Sequence, residues 1–395
     1  MNILSISGIM PEINDFVFEF YNHYLKEFGE DDVTFVLPVK YTNKLTGKFF
    51  NDDPIEVKLN KLKRYEYKEQ EVHIIKYLSA WRYCNFHAFL STIIFHTRKR
   101  LIRQLIRQNH IDVIHAQFIY PDGMLAYHIW KKYKIPYVIT SHNELRYFNH
   151  FISKRLALNI FKNAYRVTPL NYLNYQAFLD NNLSNILHIP LGFDDKLLKV
   201  KKKNDHQEVR IITAARLIKL KNIDKVILAL AKLNQNHNFS YTIVGEGPEK
   251  DHLLKLINQY NLQEKIQLTG KVQHDKMADI LSEHDIFIMP SYFETFGRAY
   301  FEAMAIKLPV ICAKNSGIYG FFEEMKEVIS VDHTNIDDIA DKLEILISNR
   351  SFREKMGNSG HELVKSYTWK NLALKFNRIY NDSLKKVDIS NTPSE

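Results

Sequence analysis

Asp285-Ile286-Phe287-Ile288-Met289-Pro290-Ser291-Tyr292-Phe293-Glu294-Thr295-Phe296-Gly297-Arg298-Ala299-Tyr300-Phe301-Glu302-Ala303-Met304-Ala305 reads as three pieces joined end to end. Residues 286–289 are an unbroken apolar run, the pattern of a strand covered on both faces in a parallel sheet. Pro290 and Ser291 stop it, a carboxylate follows in the loop, and a helix opens near Gly297. The same unit recurs on either side. Candidate strands are Ile3–Ser7, Val33–Leu37, Val72–Tyr77, Val113–Ala116, Tyr137–Thr140 and Arg166–Thr168, then Val209–Ala214, Tyr241–Val244, Ile266–Leu268, Val310–Cys312 and Val328–Val331. Helical patterns lie between them, among them Asp15–Phe28, Gly123–Tyr133, Ile223–Leu233, Lys250–Tyr260, Lys276–Glu283 and Asp337–Ser348. Strands alternating with helices predict parallel sheets with helices on both faces.

With 395 residues the chain has room for two such domains. The best boundary is near 190–208, where Ile189-Pro190-Leu191-Gly192 closes one set of strands and the charged stretch Lys199–Asp205 precedes the next. Apolar residues make up 45% and charged residues 25%, which excludes a disordered or fibrous chain. Cys84 and Cys312 are too few for a disulfide framework or a cysteine-rich zinc site, and both read as core residues of a reduced, cytosolic protein. The start of the chain reads as a first strand rather than a signal peptide, and no apolar run reaches membrane-spanning length. The net charge of +9 is local: residues 58–107 hold twelve Lys/Arg against three acids, with Tyr65, Tyr67, Trp81, Tyr83, Phe86 and Phe89 interleaved. Such a segment suits phosphates, on an anionic membrane or on nucleic acid, or else is a solvated face over core aromatics.

Open α/β sheets bind ligands beyond the C-terminal ends of their strands, so the turns there are the candidate sites. Glu294 and Glu302 bracket a helix start, whose free N–H groups favour phosphate. A ligand with hydroxyls on both sides of a diphosphate, such as a nucleotide-sugar, suits that arrangement. Two solvated helix acids is the plainer alternative. Arg216 and Lys221, in the turn after Val209–Ala214, could clamp a diphosphate or form a basic turn. Gly245-Glu246-Gly247-Pro248 allows close backbone approach or a tight turn. His142 ends a strand in the first half. His115 does too and is the weaker candidate.

In order, these pieces resemble the retaining glycosyltransferases of the GT-B fold, family 4. The residues that carry the resemblance are Arg216 to Lys221, Gly245-Glu246-Gly247-Pro248, Pro290-Ser291, Glu294 through Glu302 continuing into Ala303-Met304-Ala305, and Pro309-Val310-Ile311. In the first half they are Tyr120-Pro121-Asp122-Gly123, Ile135-Pro136 and Thr140-Ser141-His142. The resemblance implies two Rossmann-like doubly wound domains facing across a cleft. Residues 1–195 would bind acceptor and 196–370 the donor. A helix at 371–387 would pack back toward the first domain, and 388–395 would form a disordered tail. Arg216 and Lys221 would hold the donor diphosphate and stabilise the leaving nucleotide. Glu294 would bind sugar hydroxyls, Phe296 and Gly297 would offer backbone N–H groups, and Glu302 would bind the ribose. Gly245 belongs to the same donor-binding set. His142 would sit over the donor sugar, and Gly8 would let the acceptor-side loop approach. Glu294, His142, Arg216 and Lys221 are the expected catalytic set. The sequence departs from the pattern in its N-terminal loop, Ser7-Gly8-Ile9-Met10-Pro11-Glu12, which lacks paired glycines. It departs again at Asn315-Ser316-Gly317, where a double glycine is usual.

The expected partners are a UDP- or GDP-sugar donor and a glycan or lipid-linked acceptor, with no cofactor, no metal and no nucleic acid. No Asp-x-Asp occurs in the chain. The expected location is cytoplasmic, peripheral on the inner face of the membrane through 58–107. Two competing readings are a nucleic-acid-binding protein using that basic segment, and a nucleotide-sugar isomerase on the same scaffold.

Overall fold

A computed structural model describes residues 1–9, 15–40, 59, 61–77, 93–203, 207–320 and 322–391. Trp81, Tyr83, Cys84, Phe86 and Phe89, with part of the basic segment, lie outside the described residues. The chain forms two compact units. One comprises Met1–Leu170, Asn174–Ile189 and Lys370–Glu395; the other comprises Asn171–Leu173 and Pro190–Trp369.

The first unit holds β1 (Asn2–Ile6), β2 (Asp32–Lys40), β3 (Arg64–Tyr67), β4 (Gln70–Tyr77), β5 (Val113–Ala116), β6 (Tyr137–Ser141) and β7 (Arg166–Pro169). They lie in the order β3-β4-β2-β1-β5-β6-β7. All pairs are parallel except β3 with β4. That hairpin is absent from the sequence expectation because its turn is unmarked. Lys68 and Glu69 take positive φ, 47° and 66°, where Asn-Gly is the usual signal. The second unit holds β8 (Val209–Ala214), β9 (Phe239–Val244), β10 (Ile266–Gly270), β11 (Ile286–Met289), β12 (Val310–Ala313) and β13 (Ile329–Val331), all parallel in the order β10-β9-β8-β11-β12-β13.

Apart from the β3 edge, both sheets run 3-2-1-4-5-6 in their own strand numbering, the doubly wound Rossmann order. The order reverses between β1 and β5 in one unit and between β8 and β11 in the other. The crevices for ligands therefore open beyond those strand pairs. The cores follow the apolar runs. Ile114, Ile139 and Val167 are fully buried in the first unit, as are Ile243, Ile288 and Ile311 in the second. The helix Ile223–Leu233 shows how its face is chosen. Ile223, Val226, Ile227 and Leu230, spaced i, i+3, i+4 and i+7, are its buried stripe.

The last helix, Trp369–Asn391, belongs from Lys370 on to the first unit. It runs four residues into the stretch expected to be a disordered tail, because no glycine or proline interrupts the chain before Pro393. Its anchor is His115. Nδ1 of that ring meets the Tyr380 hydroxyl at 2.7 Å and the Tyr21 hydroxyl at 3.1 Å, and Nε2 meets Thr140 Oγ1 at 2.8 Å. A ring 1% exposed and bound on both nitrogens is a structural post, not a site residue.

This burial predicts acid sensitivity. Desolvation pushes His115 down to about 3, and burial plus the nearby His115 push His142 down to about 3. An unfolded histidine titrates near 6.5. Between those values the unfolded chain binds more protons, so stability falls as pH drops below 6.5. At pH 5 each histidine withdraws about 2 kcal/mol. Asp122, pushed up by burial, acts in the opposite sense over its own range. We expect the melting temperature of the first unit to fall by several degrees between pH 7.5 and 5.0. An unchanged value would mean that these imidazoles are not held neutral.

Candidate functional site

The second unit's site is assembled from loops at its topological switch point. β8 ends at Ala214, and the next residues are bonded to the loop after β9. Ala215 N–H donates to Val244 O at 3.0 Å and Leu217 N–H to Glu246 O at 2.9 Å. Gly245 N–H donates to Gly270 O at 2.9 Å, which adds the end of β10. Gly245 has φ +145°, and a Cβ there would lie 1.8 Å from Ala215 O, so no other residue fits. The sequence left open whether Gly245 marks a tight turn or a close approach, and it is both.

Beneath these loops is a cavity of about 460 Å³ whose lining includes Arg216, Gly245, Glu246, Lys271, His274 and Glu302. Three expected site residues, Arg216, Gly245 and Glu302, thus meet in one cavity. Lys271 and His274 were not expected. Lys271 lies in the turn after β10 and His274 opens the helix His274–Ser282 that follows, and the stretch Lys271-Val272-Gln273-His274 carries no distinctive signal.

Lys221 and Glu294 meet each other. Their side chains form an ion pair at 16% and 17% exposure. The loops carrying them are joined by Tyr292 N–H donating to Leu220 O at 2.9 Å. Glu294 O in turn accepts from Gly317 N–H at 2.9 Å, so the Asn315-Ser316-Gly317 departure still supports this loop. Gly297, φ +83°, precedes the helix Arg298–Ala305. A Cβ there would strike the Tyr300 ring at 2.4 Å, and the Tyr300 hydroxyl donates to Met289 O at 2.5 Å, pinning the helix start to the end of β11. The Phe296 side chain is 1% exposed and packs edge-on against Phe301, so only its backbone can serve a ligand.

Gly8 and His142 lie in the first unit, Gly8 beyond β1 at its switch point and His142 beyond β6, the strand next to β5. Gly8 N–H donates to Asp122 Oδ2 at 2.9 Å, which ties the exit of β1 to the loop after β5. His142 is 6% exposed, stacked on Phe118 with centroids 4.4 Å apart, and its carbonyl accepts from Asn174 Nδ2 at 3.0 Å. Beside it the Ser141 hydroxyl donates to the buried Glu144 Oε2 at 2.5 Å. The residues 10–14 that continue the N-terminal loop are outside the described set.

Two Rossmann-ordered units of this kind define the GT-B architecture. The family model described as Glycosyl transferases group 1 matches residues 194–363, and that described as Glycosyltransferase Family 4 matches residues 59–174. The chain belongs to these glycosyltransferases and is an enzyme of that class. It is 23% identical over 321 residues to an uncharacterised glycosyltransferase of Methanocaldococcus jannaschii, covering 80% of this chain and 86% of the relative. It is 26% identical over 296 residues to the O-antigen biosynthesis glycosyltransferase WclY of Escherichia coli, covering 70% and 80%. Among solved structures it is similar to HepE of Anabaena in complex with UDP, with a TM-score of 0.72 at 16% identity over 97% of this chain and all of that one.

Proposed function

We propose that the chain is a retaining glycosyltransferase that moves a sugar from a UDP- or GDP-sugar to a glycan or lipid-linked acceptor in bacterial surface polysaccharide biosynthesis. The observation that carries this reading is the convergence of Arg216, Gly245 and Glu302 on one cavity, with the Lys221–Glu294 pair on adjoining loops. Residues 196–370 bind the donor and 1–195 the acceptor. Glu302 takes the ribose hydroxyls, and Arg216 and Lys221 take the diphosphate. Glu294 takes the sugar hydroxyls, and the Phe296 and Gly297 amides take the sugar or the distal phosphate. Gly8 and His142 serve the acceptor side and the transferred sugar.

In the transfer, the bond from the anomeric carbon to the diphosphate oxygen breaks. A bond to the acceptor oxygen forms on the same face, and the acceptor's proton passes to the departing phosphate. Charge develops on that phosphate, where preorganised cations are most effective. Arg216 and Lys221 supply two positive charges there, so the reaction runs without a metal. The relative WclY supports a polysaccharide role and the HepE complex supports a UDP donor.

The membrane component rests on the helix Lys99–Gln108. Ile102 and Leu105 are buried while Arg98, Lys99, Arg100, Arg103 and Arg107 are exposed. Lys132, from a neighbouring helix, lies within reach of the charges of Lys99 and Arg103. No helix among the described residues is long and apolar enough to cross a membrane. The exposed cations of this helix are what would hold the enzyme at the inner face of the cell membrane, by charge attraction.

A thermal-shift panel of UDP, GDP, ADP and CMP, with their common sugar conjugates, on wild type and Glu302→Ala tests the donor site. A ligand at 100 times its Kd stabilises by about 2.7 kcal/mol. We expect one nucleotide family to shift the wild type, the shift to shrink in Glu302→Ala, and chelator to leave it intact. No shift with any nucleotide would sink the donor assignment.

A further inference from the structure

Glu302 does not stand alone in its helix. Arg298 Nε donates to Glu302 Oε1 at 3.0 Å, four residues apart on the same face. The pair is poorly placed to serve the helix itself. Arg298 is the first residue of the helix Arg298–Ala305, where the dipole disfavours a cation, and the first turn carries no acid to offset it. The order is also unfavourable, since an acid preceding its base stabilises a helix better than the reverse. A position that breaks two local rules together is where a functional demand is expected.

The demand is visible at Glu302. Its side chain is 11% exposed, and a carboxylate so far withdrawn from water needs a charged, hydrogen-bonded partner. Arg298 is not among the residues lining the cavity, whereas Ala299 and Glu302 are. The guanidinium therefore acts behind the carboxylate rather than on the ligand. It occupies Oε1 and fixes the plane of the carboxyl group, which leaves Oε2 for a hydroxyl entering the cavity.

We propose that Arg298 is the positioning residue for donor recognition, orienting Glu302 toward the ribose hydroxyls and so setting the preference for a ribonucleotide. This rests on the reading of Glu302 as the ribose carboxylate. The arrangement separates two contributions to affinity. Arg216 and the loop amides hold the diphosphate whatever the sugar of the nucleoside. The Arg298–Glu302 pair reads only the 2′ and 3′ hydroxyls. Loss of Arg298 leaves a carboxylate free to rotate and poorly solvated, so hydroxyl recognition suffers while phosphate binding does not.

Isothermal titration with UDP and GDP, each beside its 2′,3′-dideoxy analogue, tests this on the full chain. Arg298→Met keeps the length and helix preference of the side chain without its charge. We expect it to weaken binding of the preferred ribonucleotide about tenfold, roughly 1.4 kcal/mol, while the dideoxy analogue changes by less than twofold. Arg298→Lys, which retains a cation and a donor, should keep most of the preference and serves if the methionine variant folds poorly. Equal weakening of both ligands, or of neither, overturns the proposal. Glu302→Ala is the control for the underlying reading: it should erase the preference. If Glu302→Ala leaves the preference intact, Glu302 is not the ribose carboxylate and the proposal falls with that reading. If Glu302→Ala erases the preference but Arg298→Met does not reduce it, only the role of Arg298 is lost. Absence of binding by both nucleotides to wild type overturns the donor site itself.

Discussion

Gly245→Ala should destabilise the second unit by on the order of 3 kcal/mol and abolish nucleotide binding. Two costs add. A φ of +145° is a region that L side chains rarely adopt, and the new methyl group would sit 1.8 Å from Ala215 O. That oxygen is backbone, so it can move only if the turn out of β8 moves. The turn is bonded by Ala215 N–H to Val244 O and by Leu217 N–H to Glu246 O. Relief of the clash therefore breaks the contact between the loops that carry Arg216 and Glu246. The matched control is Gly29→Ala, where a methyl group would meet nothing closer than Leu25 O at 3.7 Å. Urea unfolding curves on both variants give the comparison. A Gly245→Ala midpoint within error of the Gly29→Ala midpoint would show that the turn is soft, and the close approach would then carry no functional weight.

The parts of this enzyme legible in its sequence are those with short-range signals. β5, β8 and β11 begin and end at the expected residues. Each is a short run rich in Val, Ile or Phe, and β11 is apolar throughout between Asp285 and Pro290, so the burial of each is written locally. The antiparallel β3 was invisible because its turn uses Lys68 and Glu69 at positive φ, a choice that tertiary pairing enforces. The helix Arg350–Val364 was missed for a related reason. Its sequence is mostly polar, and its buried face uses Gly357 and Gly360, which sequence reading treats as breakers. A methyl group on Gly357 would lie 2.1 Å from Lys307 O, so that glycine allows the helix to close on its neighbour. The site divided in the same way. Arg216, Gly245 and Glu302 sit at strand–loop–helix junctions and could be named from position. The Arg298–Glu302 spacing was equally readable, but which oxygen is held and how deeply the pair is buried emerged only with the fold. That Lys221 pairs with Glu294, 73 residues away, follows from the adjacency of β8 and β11, and strand order is what a sequence without its topology does not contain.

That ion pair makes the strongest kinetic prediction. Lys221 and Glu294 are assigned to different parts of the donor, phosphate and sugar, yet before the donor arrives they neutralise each other. The pairing has a physical purpose. Two side chains about five-sixths buried would each be costly to hold charged alone. Paired, they wait in place at low cost. On the proposed roles, donor entry would exchange carboxylate for phosphate at Lys221 and ammonium for sugar hydroxyls at Glu294, so that neither charge would be left bare. Each single alanine variant then does two kinds of damage: it removes a contact to the donor, and it strands the remaining partner. We expect Lys221→Ala and Glu294→Ala each to lower kcat for sugar transfer by about 10² to 10³. The double variant should be scarcely worse than the worse single, because residues acting as a unit are non-additive. Nucleoside diphosphate release from the nucleotide-sugar identified by the thermal-shift panel measures all four proteins. Multiplicative losses, with the double variant down by the product of the singles, would show two independent contacts and remove the exchange from the mechanism.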